Sequence, residues 1–434
     1  MTLKEGLVTA RTSLVMIVAF ITGLTTIALL ERWEPSRRVA AFEPTPDIPV
    51  ARPRPLTEQE QHWAQIAWRY FERNVNPETG LANSVDQYPA ATLWDTGSYL
   101  MALIAAERLG VISVGEFDIR VTRALDSLAR LPLYEGDAPN KSYNTLTLRM
   151  VDDDNQPSDR GVGWSAIDIG RFLVPCNILT WRYPQHTSAV RAVLSRWNWS
   201  HVVRDGVLYG AANQNGKTVY LQEGRLGYEE YGAKSFALTG LDVREAQRVD
   251  DFLKFVDVDG VQVATDSRRP EEYGAAHNYV ASEPYILDGL EFGFDRTSRE
   301  FAWRVARAQE ARFRKTGLLT AVSEDHIDTA PFFVYNTVFT NGRVWNTVTP
   351  AGADASAFKT LSTKAAVGWH ALYATPYTRQ LVDRIEQLFD PDKGWYSGVY
   401  EETGKPNKAI TANTNAIMLE SLCYTQVGQL LKSY

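Results

Sequence analysis

A turn ending in glycine, followed by an apolar residue, recurs along this 434-residue chain: Gly80-Leu81, Gly206-Val207, Gly260-Val261, Gly317-Leu318 and Gly394-Trp395, with a weaker copy at Gly136. Successive marks lie 56, 70, 54, 57 and 77 residues apart. After each, a polar and aromatic loop leads into a stretch whose apolar residues fall at helical spacing. One such unit cannot bury its own apolar face, so neighbours must stack. Six copies of helix, turn, loop and helix predict an all-α fold, an (α/α)6 toroid of six helical hairpins, with a cleft where the loops converge. Segments 206–209, 217–221 and 342–348 predict short β-hairpins as decorations on it.

The expected helices cover residues 58–74, 92–109, 117–131, 165–180, 188–203, 228–238, 284–292, 298–315, 363–374, 378–389 and 412–427, and segment 243–256 leads to the Asp259-Gly260 turn. The inner candidates are rich in Ala, Gly, Ser and Leu, and the outer ones in Arg and Glu. That contrast predicts two concentric layers, the inner one buried on most sides.

Residues 13–30 carry no charge and are long enough to span a bilayer as a helix. The stretch ends in Leu29-Leu30-Glu31-Arg32, without the small-residue cleavage site of a signal peptide, so an uncleaved transmembrane anchor is expected. Residues 1–12 then form an N-terminal tail. Residues 31–55, with six prolines after position 33, form a Pro/Arg-rich tether, and 56–434 form the toroid domain. Basic residues flank the span on both sides, so charge bias does not set its orientation.

A formal net charge of −7 argues against a nucleic-acid partner, which selects for a basic face. It leaves a neutral glycan open. The two cysteines, Cys176 and Cys423, read as buried thiols. The acidic runs at 152–154, 257–259 and 390–392 lack the closing glutamate of a twelve-residue calcium loop. No metal and no cofactor is called for.

The inner-helix starts bring carboxylates and aromatic rings to one rim: Trp94-Asp95, Trp164 with Asp168, Tyr228-Glu229-Glu230, Glu283 with Tyr285, and Gly368-Trp369-His370. Aromatic faces pack on the C–H groups of sugars, and carboxylates bond sugar hydroxyls. Glycoside hydrolysis needs two carboxyl groups flanking the bond, one a proton donor and the other a base or nucleophile. Glu229-Glu230 supplies two crowded acids, whose mutual repulsion and burial raise the pKa of one. The helix dipole acts in the opposite sense. Acidic residues at helix starts also serve simply as caps.

Trp94-Asp95-Thr96-Gly97-Ser98-Tyr99-Leu100 and Gly163-Trp164-Ser165-Ala166-Ile167-Asp168-Ile169-Gly170-Arg171 resemble a bacterial family catalogued as a domain of unknown function. Its members are often membrane-anchored envelope proteins. The resemblance implies a single-pass protein of the bacterial inner membrane with a periplasmic domain. Gly227-Tyr228-Glu229-Glu230, opening a stretch that ends Ala237-Leu238, is distantly similar to the glucoamylase-like domain of β-1,2-glucan-processing enzymes. That similarity implies the (α/α)6 fold and gives Glu230 the general-acid role.

The expected activity is therefore that of a membrane-anchored glycoside hydrolase or transglycosylase acting on an envelope or extracellular polysaccharide, a β-glucan among the candidates. Glu230, Asp95 and Asp168 are the catalytic candidates. Trp94, Trp164, Tyr228, Glu229, Glu283, Tyr285 and Trp369 are expected to bind the polysaccharide or oligosaccharide. A non-catalytic glycan-binding or scaffold protein is the alternative, and a lyase would need a more basic cleft.

Overall fold

The computed structural model describes residues 42–270 and 276–432, together with Phe20 and Thr22. Apart from those two positions, the expected tail and anchor lie outside the described residues. Among the described residues no helix is long and apolar enough to cross a membrane. The chain divides into two compact units, Met1–Glu43 and Pro44–Tyr434, and the second holds the helices and sheets that follow.

Twelve α-helices are described: α1 (Glu58–Asn74), α2 (Leu93–Arg108), α3 (Val114–Leu128), α4 (Ala166–Arg182), α5 (Thr187–Leu194), α6 (Trp199–Val202), α7 (Tyr228–Leu238), α8 (Glu283–Leu287), α9 (Arg296–Thr316), α10 (Thr363–Tyr373), α11 (Pro376–Ile385) and α12 (Ala412–Val427). Helix α8 runs on into one π-helical turn, Asp288–Phe292. Helices α2, α4, α7, α8, α10 and α12 form the inner ring. Each packs on the next, and α12 closes the circle against α2.

The two layers differ as their sequences require. Leu100, Met101, Leu103 and Ile104 of α2 are all fully buried, so this inner helix presents no solvent face there. Outer α3 buries one stripe, Phe117, Val121, Ala124, Leu125 and Leu128, and leaves Ile119 exposed. Where α4 crosses α7, Gly170 meets Gly232. A Cβ on Gly170 would lie 2.7 Å from the Gly232 Cα, so the backbones approach this closely only because both residues lack side chains.

Four inner helices start with a hydroxyl cap. Thr92, Ser165, Ser362 and Thr411 accept the amides of Asp95, Asp168, Ala365 and Thr414. Each cap satisfies an N–H that the helix leaves without a partner. The segments before these caps are strands: Ala90–Thr92, Gly163–Trp164, Thr360–Ser362 and Pro406–Ile410. The β content is thus larger than a few decorating hairpins, which corrects the all-α expectation. Seven small antiparallel sheets are formed among the described residues, several leading directly into the inner helices.

The ring is also incomplete. Among the described residues no fourth outer helix forms between α7 and α8. Turns occupy residues 239–252, and Leu253–Val258 pairs with Val261–Asp266 as a hairpin. Phe255, Val256 and Val258 favour a strand, and Asp259-Gly260, both at positive φ, make the tight turn between the two.

The domain starts earlier than position 56. The amide of Ala51 donates to the Leu372 carbonyl at 2.8 Å, and that of Arg54 to the Thr425 carbonyl at 2.8 Å. Residues 44–55, expected as tether, therefore use carbonyls left free at the ends of α10 and α12.

The axis of the ring is polar. Fully buried Arg171 of α4 bonds Glu291 and, at 2.6 Å, Glu420 of α12. Its Nη1 also donates to Tyr231 Oη at 3.1 Å, and Tyr231 donates to Glu291 at 2.8 Å. Burial beside Glu420 holds the Glu291 carboxyl well above the ordinary range despite Arg171.

Candidate active site

Asp95 and Asp168 are each the third residue of their helices, α2 and α4, at the loop end of the ring. Asp95 is held tightly: its Oδ2 accepts Ser84 Oγ at 2.6 Å and Thr92 Oγ1 at 2.7 Å. Asp168 is half-buried, and its pKa is pushed up to about 7. Burial is the main cause. The carboxylates of Glu223 and Asp95 push the same way, and Lys141 and the Ser165 hydroxyl oppose them.

Glu223 is fixed at the start of α4. Its Oε2 accepts the Ala166 amide at 2.5 Å, so the positive end of the helix faces a carboxylate placed next to Asp168. A strand after α9, Glu324–His326, and its partner Phe333–Asn336 complete this charge cluster. Tyr335 feels the charges of Glu324, Asp168 and Glu223, and it stacks on Tyr279 with ring centroids 3.9 Å apart. His326 feels Asp95, Lys364 and Glu283, and burial lowers its pKa.

Glu283, the first residue of α8, organises the floor. Its Oε1 accepts Trp94 Nε1 at 3.0 Å and Asn413 Nδ2 at 2.8 Å, and Lys364 bonds its Oε2. Lys364 also lies 3.6 Å from Asp325, whose own pKa burial pushes up to about 8. Trp94 thereby has a fixed plane, with Tyr228 at 6.0 Å and the Arg171 guanidinium 6.0 Å from its ring.

The structure thus brings Asp95, Asp168, Trp94, Tyr228 and Glu283 to one place. It sends the others elsewhere. Glu229 is buried in an ion cluster, its Oε2 taking Arg268 at 2.6 Å and its Oε1 taking Gln222 at 3.0 Å. Glu230 closes the first turn of α7 by accepting the Gly227 amide at 2.6 Å. Its charged neighbours are Glu229 and Arg268, and it lines a cavity with Lys234, Tyr285 and Asp288. Burial, followed by Glu229, pushes its pKa up to about 8. Glu230 and Tyr285 thus line a cavity whose wall includes none of Asp95, Asp168, Trp94 and Tyr228, while the next residue of α7, Tyr231, bonds Arg171 and Glu291 at the ring axis.

Two tryptophans expected at the sugar surface are core residues. Trp164 is 3% exposed, donates to the Tyr209 carbonyl at 3.0 Å and packs between Tyr134 and Tyr220. Trp369 is 1% exposed, donates to Ser282 Oγ at 3.0 Å and stacks on Tyr373. It sits inside α10 rather than at its start, because Ser362 caps that helix earlier. Sequence reasoning missed Glu223, Lys364, Tyr335 and the Glu324-Asp325-His326 run. The signal for the last was three ionisable residues in a row within a stretch of strand-forming composition.

Residues 62–428 match a family described as a protein of unknown function, DUF3131. The chain belongs to this family. No curated protein matches this DUF3131 member in sequence. Its fold is shared with solved structures. A glucoamylase-like protein from Bacteroides caccae superimposes with a TM-score of 0.60 at 13% identity, over 86% of this chain and 94% of the other. An endo-β-1,2-glucanase from Chitinophaga pinensis, in complex with sophorotriose and glucose, gives 0.61 at 12% identity, over 86% and 94%. An endo-β-1,2-glucanase from Talaromyces funiculosus, in complex with sophorose, gives 0.56 at 12%, over 86% and 84%. The DUF3131 chain therefore has the (α/α)6 toroid fold of these proteins.

Proposed function

We propose that this chain is a glycoside hydrolase acting on an envelope or extracellular polysaccharide, with β-glucan as the substrate class suggested by the glucanases that share its fold. One observation carries the reading: two unlike carboxyl groups occupy equivalent positions on adjacent inner helices. Asp168 keeps its proton near neutral pH and donates it to the leaving glycosidic oxygen. Asp95, oriented by the Ser84 and Thr92 hydroxyls, is the base that activates water or the nucleophile that attacks the anomeric carbon. Glu223, anchored on α4, helps to retain the Asp168 proton. Trp94 and Tyr228 offer ring surfaces to the sugar. In this reading Asp168 takes the acid role that the sequence resemblance gave to Glu230. Residues 13–30 anchor the domain to the bacterial inner membrane, and the domain works in the periplasm.

The test is a screen of the purified protein against β-1,2-glucan, other β-glucans and bacterial exopolysaccharides, with detection of new reducing ends. Release by the wild type that Asp168→Asn lowers by roughly 10²–10⁴ supports the assignment. Binding of a glycan without release of ends from any of them sinks it in favour of a glycan-binding protein.

A further inference from the structure

The gap in the outer layer holds a cavity of about 370 Å³ between α7, α8 and α9. Small-molecule sites occupy roughly 300–1,000 Å³, so the space suits a compact ligand. Segment 239–252, which stands where the fourth outer helix would be, supplies Gln247 and Val249 to its wall.

The cavity's fixed charges are already matched. Lys234 Nζ bonds Asp288 at 2.6 and 2.8 Å and Asp295 at 2.6 Å. The other oxygen of Asp295 accepts the Thr297 and Ser298 amides at the start of α9, at 2.7 and 2.9 Å. Two carboxylates thus face one ammonium and one helix N-terminus, which leaves no call for an ionic ligand.

What remains uncommitted is hydroxylic. Tyr285 is 3% exposed, lines the cavity, and its hydroxyl is buried without a hydrogen-bond partner. Glu230 stands beside it, one oxygen on Gly227. Leu226, Val249 and Phe301 add apolar surface. A partnerless buried hydroxyl on the wall of a roomy, largely apolar cavity marks a place for an external donor or acceptor.

We propose that this cavity is a second binding site, distinct from the group around Asp168, for a neutral polyhydroxyl molecule about the size of one sugar ring. Its hydroxyls bond Tyr285 and Glu230, and its C–H surface meets Val249 and Phe301. The Glu230 carboxyl, protonated near neutral pH, serves there as a donor.

Calorimetric titration of the full chain with glucose tests this, with glucosamine as the cationic comparison. Wild type and Asp168→Asn should bind one glucose per chain alike. Val249→Trp, which fills the cavity from a surface segment, should abolish that binding. Tyr285→Phe should weaken it about fivefold, as loss of one neutral hydrogen bond does. No glucose binding by the wild type at millimolar concentration overturns the site, as does unchanged binding by Val249→Trp. Glucosamine binding tenfold tighter than glucose overturns the neutral-ligand assignment. Loss of binding in Asp168→Asn alone also overturns it, because the sugar then sits in the cleft. Hydrolysis is not read in any of these arms, so the outcome is separate from that of the proposed reaction.

Discussion

Asp95 and Asp168 hold the same third position on neighbouring inner helices, yet only Asp95 is gripped by two hydroxyls, Ser84 and Thr92, at 2.6 and 2.7 Å. Asp168 has Glu223 and Asp95 as acidic neighbours, and its pKa rises to about 7. Equal placement with unlike surroundings gives one residue type two different environments in the same ring.

Replacing Asp168 by Asn should lower turnover by roughly 10²–10⁴, with circular dichroism and melting temperature little changed. Glu230→Gln should lower it less than about tenfold, since Glu230 faces a different cavity. Parallel steady-state assays decide between them. A larger loss in Glu230→Gln returns the acid role to that residue.

The rate should depend on pH through the same group. An acid with a pKa near 7 donates only below it, so kcat/KM should fall as pH rises through about 7. Glu223→Gln removes a neighbouring negative charge and should move that limb to lower pH. A pH–rate profile of both proteins measures the displacement.

Stability should also fall with rising pH. Asp168, Glu230 and Asp325 have folded pKa values of about 7, 8 and 8, above the unfolded carboxyl values. The folded state then holds more protons than the unfolded state between about pH 4 and 8. The stability these groups contribute is complete below the unfolded values and is lost as pH climbs through the folded ones. Melting temperatures should decline across that window, and the slope should flatten in Glu230→Gln.

Arg171→Met should destabilise the domain by about 3–5 kcal/mol, because it leaves Glu291 and Glu420 buried without their cation. Adding Glu420→Gln should recover part of the loss. Urea denaturation of the single and double variants measures both.

Gly170→Ala should also destabilise, because its Cβ would press on the Gly232 backbone at 2.7 Å and a packed helix crossing has nowhere to move. The same denaturation experiment reads it.

The ring was legible because it rests on local signals. Thr57 with Glu60 forms the capping box that opens α1, and α1 and α12 begin and end where their caps and periodicity put them. The fourth outer position was not, because Phe255, Val256 and Val258 read equally well as part of a helix stripe or of a strand. Only the pairing of Val256 with Val263 settles the choice. Trp164 and Trp369 show the same limit, since a tryptophan beside a helix start looks alike in sequence whether it faces sugar or core. Glu223 became visible only through its bond to Ala166, 57 residues away along the chain.

The amino-acid order alone determined the repeat, the helix periods, the hydroxyl caps and the places of Asp95 and Asp168, because each depends on residues a few positions apart. Tertiary structure decided how far the Asp168 pKa rises and which cavity Glu230 lines. Those properties depend on burial and on charges brought in from remote segments, Glu223 beside Asp168 and Lys364 beside Glu283, and no local pattern records such distances.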